Sequence, residues 1–176
     1  MANLLIDGYN LMGVAHRDFE KARHDLVQKL GRYANLKGHS VTVVFDGWKN
    51  GQATETETRI GGIAVIYSSL GEKADIVIKR MLSASTKQWI AISSDREIYN
   101  FAEKNNCVAL MSDEFAAKLD AAFCVGGGPN AEDFSEDDGD FDPARTGKKG
   151  NPRKLSRKDK KKLEAMRKLS CPSGNQ

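Results

Sequence analysis

Apolar residues in the first 120 positions follow two alternating rhythms. Short unbroken runs stand at 3–6 (NLLI), 41–45 (VTVVF), 63–68 (IAVIYS), 89–94 (WIAISS) and 107–112 (CVALMS). Between them, apolar side chains recur at three- and four-residue steps. Phe19, Ala22, Leu26, Leu30, Tyr33 and Ala34 do so over 18–37, and Ala74, Ile78, Met81 and Leu82 over 70–85. The first rhythm belongs to buried strands and the second to amphipathic helices. Gly38 stands where the first helix should stop. Shorter helices are predicted over 96–105 and 113–122, the latter capped by Ser112 or Asp113. The polar, Gly-rich stretch 47–62 reads as a long loop. Apolar strands alternating with helices predict an α/β domain, a three-layer sandwich around a mostly parallel five-stranded sheet.

Beyond residue 124 both rhythms fade, which divides the chain into a domain (1–124), a linker (125–153) and a tail (154–176). The linker is rich in Gly, Pro and charge, a composition that predicts disorder. The tail carries one basic helical pattern over 156–169, with Ser156 and Asp159 at capping-box spacing.

Charge sharpens this division. The net charge of +3 hides a neutral body, with 15 basic and 15 acidic residues in 1–130, then seven acids and no base in 131–142, then 12 bases against two acids in 143–176. Such a tail should hold a polyanion through its phosphates, with affinity that falls as salt rises. Lys148, Lys149, Arg153, Lys154, Arg157, Lys158, Lys160, Lys161 and Lys162 are the expected contacts. The tail has no aromatic residue, so stacking on bases is not expected of it. The acidic stretch is expected to fold back on the tail when no nucleic acid is bound.

Three scattered cysteines (Cys107, Cys124, Cys171) have neither disulfide-scaffold nor metal spacing and suit a reducing compartment. There is no apolar stretch of signal-peptide length at the N-terminus, and no run near the roughly 20 apolar residues of a membrane span. A cytoplasmic protein without membrane contact is the expectation. His16, His24 and His39 lack a paired base or nucleophile and are expected at the surface. Trp48 and Lys49 follow the second strand and are candidate substrate contacts.

The candidate chemistry lies where strands end. Asp7, Asp46 and Asp95 each follow an apolar run, and Glu72 and Asp75 open the helix after the third strand. In a parallel sheet these ends share one edge, where ligands of open α/β sheets bind. An aspartate after a strand is often only a helix cap, but several carboxylates at one rim repel one another and call for a cation. Oxygen ligands in an incomplete cage suit Mg²⁺ or Mn²⁺, which lower the pKa of bound water and polarise a phosphodiester. Asn10 adds a neutral oxygen beside Asp7. The hydroxyls of Ser93 and Ser94 and the Arg96 guanidinium stand beside Asp95, where they can meet a ligand or a phosphate.

The ordered motifs LIDGYNL (5–11), VVFDG (43–47), GGIAVIYS (61–68), GEKADIVI (71–78) and SSDREI (93–98) resemble the YacP-like branch of the NYN domains, within the PIN-like nuclease superfamily. The resemblance covers roughly residues 3–122. It implies a PIN-like (Rossmannoid) sheet, Mg²⁺- or Mn²⁺-dependent cleavage, and RNA as the usual substrate; association with the ribosome is a separate expectation. By motif match Asp7, Asp75 and Asp95 would bind the metal, Asn10 would assist, and Asp46 and Glu72 would support. Ile76 stands where the family often has a second acid, and the basic tail is not part of the resemblance.

The expectation is therefore a metal-dependent endoribonuclease leaving 5′-phosphate and 3′-hydroxyl ends. The alternative is a non-catalytic RNA- or ribosome-binding module on the same fold. A receiver-like phosphoacceptor at Asp46 is disfavoured, because the first strand lacks paired acids and no lysine follows the fifth.

Overall fold

A computed structural model describes residues 1–13, 18–47, 53–84, 87–124 and 156–170. The expected linker, Lys148, Lys149, Arg153, Lys154, His16, Trp48, Lys49 and Cys171 lie outside the described residues.

Strand β1 (Asn3–Asp7) sits at the centre of the sheet, with β2 (Ser40–Phe45) parallel on one side and β5 (Trp89–Ile92) parallel on the other. Strand β4 (Ile63–Tyr67) extends the sheet beyond β2, and β6 (Val108–Leu110) extends it beyond β5. The central runs are buried almost throughout because both faces are covered. Leu4 and Ile6 enter one core, and Leu5 enters the other. Helices α2 (Phe19–Lys37) and α5 (Ser112–Cys124) cover the first face; α3 (Ala74–Ala84) and α4 (Arg96–Lys104) cover the second. Asp18 caps α2 by accepting from the Lys21 amide (3.1 Å), and Gly38 ends it in the left-handed conformation. This is the expected three-layer α/β sandwich.

The sheet has six strands rather than five. Residues Thr56–Ile60, expected in a loop, form β3, the one antiparallel strand, paired with β4. Gly61 and Gly62, both at positive φ, make the two-residue turn between them, as a tight hairpin requires. Strand β3 is mostly exposed and carries Glu57 and Arg59, charges that protect a sheet edge. A second unexpected element is the short helix α1 (Gly8–Met12), which follows β1 directly. At α5, neither Ser112 nor Asp113 is the cap: Ser112 lies within the helix, and Glu114 reaches back to the Met111 amide (3.0 Å).

The basic C-terminal helix, α6 (Arg157–Ser170), packs on the body. Ser156 and Asp159 form the expected capping box, each accepting the other's amide. Ala165 and Leu169 are buried in the same core as Leu30, Tyr33 and Phe115, and the Tyr33 hydroxyl donates to the Leu169 carbonyl (3.1 Å). Helix α6 thus covers the β6 edge. Beneath it lies His39, which is buried rather than at the surface as expected. Neither of its ring nitrogens has a side-chain or backbone partner within hydrogen-bond geometry among the described residues. His24 is exposed, as expected.

Candidate active site at the carboxyl ends of the strands

From β1 the chain runs by way of β2 to β4 on one side, then returns to form β5 and β6 on the other. The order reverses between β1 and β5, and in open α/β sheets a crevice opens at that reversal beyond the strands' carboxyl ends. Asp7 ends β1, and Ser93 to Asp95 follow β5, so these residues flank the crevice.

The carboxylates there are held by backbone amides. Asp7 caps α1: one oxygen accepts from the Asn10 amide (3.1 Å), and the other from Asn10 Nδ2 (2.5 Å) and Ser93 Oγ (3.3 Å). Asp95 caps α4 through the Glu97 amide (2.7 Å), and its own amide donates to Ser93 Oγ (3.1 Å). Asp46 accepts from the Ala74 amide and so caps α3 from a different segment. Asp75 lies in the first turn of that helix. Helix N-termini favour negative charge, which explains how several acids are tolerated at one rim. Gly8 permits the turn after Asp7, since a side chain there would begin 2.2–2.7 Å from the Phe45 ring.

The four aspartates sense one another. Asp7 is buried, and its pKa is raised to about 6, first by desolvation and further by Asp75 and Asp46, against the hydrogen bonds from Asn10. Asp75 is also raised, first by burial, then by Asp95 and Asp46, with Lys79 and Lys73 opposing. Glu72 is not in this group, contrary to expectation. Its carboxylate pairs with Arg80 (3.0 Å), which also holds Glu55. Arg96 is exposed on α4 and Ser94 is exposed beside it.

The donor set suits a hard divalent cation in kind: oxygen ligands from separate elements whose mutual repulsion a cation would relieve. They are not closed into a cage. Among the described residues, no three Asp, Glu, His or Cys side chains are gathered as a ready metal site.

Two arrangements are visible only in three dimensions. Ser93 acts as a hub, its hydroxyl bonded to Asp7, Asn10 (2.9 Å) and the Asp95 amide. An aromatic tier also borders the rim: Phe45 stacks on Tyr67 (5.9 Å between centroids) and meets Tyr9 edge-on (5.6 Å).

The sequence matches the profile of the YacP-like NYN domain over residues 4–168. The chain belongs to that family. The matched span runs into α6 rather than stopping before the basic segment. The "Uncharacterized protein YacP" of Bacillus subtilis (strain 168) is 34% identical over 90 residues. That match covers 46% of this chain and 51% of the relative, so it spans about half the relative's length. Crystal structures of Rae1 (YacP) from Bacillus subtilis superpose on this NYN domain at 26% identity. A mutant with one tryptophan replaced by leucine gives a TM-score of 0.57, covering 70% of this chain and 77% of the other. A second structure gives 0.55, with 70% and 76% covered. Among the described residues, no helix is long and apolar enough to cross a membrane.

Proposed function

We propose that this protein is a metal-dependent endoribonuclease that hydrolyses RNA phosphodiester bonds at the crevice between β1 and β5. The observation that carries this reading is the coupling of four aspartates from four separate segments at one rim, with Asp7 buried and raised to about 6. An acid so placed has a cost in the folded protein without a cation, which suits a functional rather than a structural role. Asp7, Asp75 and Asp95 would hold Mg²⁺ or Mn²⁺, with Asp46 in support. Bound there, the ion would polarise the scissile phosphate and lower the pKa of a coordinated water.

The chain's own residues set up that chemistry. Asn10 fixes both oxygens of Asp7, and Ser93 ties Asp7 to the backbone that carries Asp95. Arg157, Lys160 and Lys161 are exposed on α6 and suit contact with RNA phosphates, whereas Lys158 and Lys162 are engaged by Glu103 and Glu114. Incubating RNA with the protein in Mn²⁺ or Mg²⁺ should give metal-dependent cutting to 5′-phosphate and 3′-hydroxyl ends. Asp7→Asn and Asp95→Asn should lose it, and full activity in both variants would remove the mechanism.

A second reading, a non-catalytic RNA- or ribosome-binding module, draws on the open cage and on the capping roles of Asp7, Asp46 and Asp95. An RNA titration with and without Mn²⁺, followed on a gel, separates the two: the binding module shifts RNA and never shortens it.

A further inference from the structure

We propose that Arg23 is the residue that seats an RNA phosphate at the carboxylate rim, held for that task by the ring of Tyr67; this rests on the reading of the site as one that engages RNA. Arg23 lies early in α2, an element that carries none of the four rim aspartates. Its guanidinium carbon stands 5.3 Å from the centroid of the Tyr67 ring. Tyr67 ends β4 opposite Phe45, the residue before Asp46, and the two rings stack. Tyr9, two residues past Asp7, packs edge-on against the same Phe45. The cation therefore sits at the β4 end of an aromatic tier whose other rings, Phe45 and Tyr9, stand beside Asp46 and Asp7 in the chain. Arg23 and Asp46 both act on the Tyr9 hydroxyl from close by, which brings the cation and the rim to one place.

Several other cations of the body are already paired. Lys29 is paired with Asp120, Lys79 with Glu97, and Arg80 with Glu55 and Glu72. Arg23 is half-buried, and no carboxylate lies within ion-pair distance of it among the described residues. A guanidinium stacked on an aromatic ring keeps the N–H fork at its edge, a geometry that fits a phosphate with two parallel bonds. An RNA strand approaching four aspartates meets repulsion, and a pre-positioned cation beside them offsets it.

The test is binding, which needs no cleavage. A short, unstructured, fluorescein-labelled RNA is titrated with the full chain in EDTA at several salt concentrations, and thermal melts verify folding. Arg23→Ala should bind about tenfold more weakly, and its slope of log Kd against log salt should fall by about 0.7, the share of one single-strand phosphate. Arg23→Lys should keep most of that slope yet still bind several-fold more weakly, since it lacks the fork. A folded Arg23→Ala with unchanged affinity and slope overturns the assignment. If Arg23→Ala does not fold, Arg23→Lys with wild-type affinity overturns it, and so does a wild type that binds no RNA. A wild type that binds in this way but never cuts removes the nuclease reading and leaves Arg23 in place.

Discussion

Ser93 Oγ donates to Asp7 Oδ2 across the junction of β1 and β5, over 3.3 Å. The same hydroxyl accepts from Asn10 Nδ2 and from the Asp95 amide, so one donor and two acceptor sites are all used. It is a small, buried cross-brace that fixes two acids of the rim from one point.

Ser93→Ala should therefore cost more than one hydrogen bond. It leaves the Asp95 N–H without its acceptor and Asn10 Nδ2 with only Asp7 to donate to, a loss of about 1–3 kcal/mol. Urea unfolding measures that loss, and RNA cleavage should fall at least several-fold in parallel. Ser94→Ala, at an exposed position, should change stability little.

Asp7→Asn should stabilise the metal-free protein at neutral pH while abolishing cleavage. The folded pKa is raised from 3.8 to about 6. The favourable contribution of the protonated acid is thus complete below about 3.8 and lost as pH rises through about 6. At pH 7 the ionised, buried carboxylate carries its full penalty, of the order of 2–3 kcal/mol. Denaturant midpoints in EDTA should favour Asp7→Asn at pH 7.5, and its advantage should shrink by pH 5. Equal midpoints at every pH would contradict the burial argument.

His39 should make the wild type sensitive to mild acid. Burial lowers its pKa below 6.5, against contacts with the Gly38 and Lys168 backbone that favour the charged form. Lys37 and the N-terminal amine also disfavour the charged ring. The folded state therefore takes up the proton later than the unfolded chain. Stability is intact above about 6.5 and declines as pH falls from there through the folded pKa. His39→Leu should flatten this decline between pH 7.5 and 5.5 and, since neither ring nitrogen meets a partner within hydrogen-bond geometry among the described residues, add about 1 kcal/mol at pH 7.5. Chemical denaturation at the two pH values reads both effects.

Leu169→Ala should destabilise the whole protein, by about 2–5 kcal/mol, since Leu169 is 1% exposed in the main core. Leu163→Ala on the same helix, at 54% exposure, should cost little. If α6 were an independent appendage, the two variants would melt alike.

The acids at the strand ends were legible because a buried parallel strand is apolar until it stops, and Asp7, Asp46 and Asp95 each mark such a stop. What was not legible had weak or misleading local signals. Strand β3 is an exposed edge whose polar TETRI run has no buried face, although the Gly61–Gly62 pair before an apolar run was a usable hairpin sign. Glu72 stands near Asp75 in sequence, but the start of α3 directs it to Arg80, two turns along. Helix α6 looked like a solvated tail because its lysines outnumber its apolar contacts, which are few and lie at four-residue spacing, Ala165 and Leu169. Arg23 carries no local mark at all, since its placement over Tyr67 depends on how α2 crosses the sheet. Long-range packing of this kind is decided by the whole fold and not by neighbours in the chain.

The bond between the Tyr33 hydroxyl and the Leu169 carbonyl joins positions 136 residues apart. Loop closure over that distance is slow relative to local pairing. Synthesis on the ribosome runs from the N-terminus, so Tyr33 and the β6 edge are made long before the helix that seals them. Until residue 169 has emerged, the nascent chain presents an uncovered strand and an open apolar seam, and closing that seam waits on the synthesis of α6.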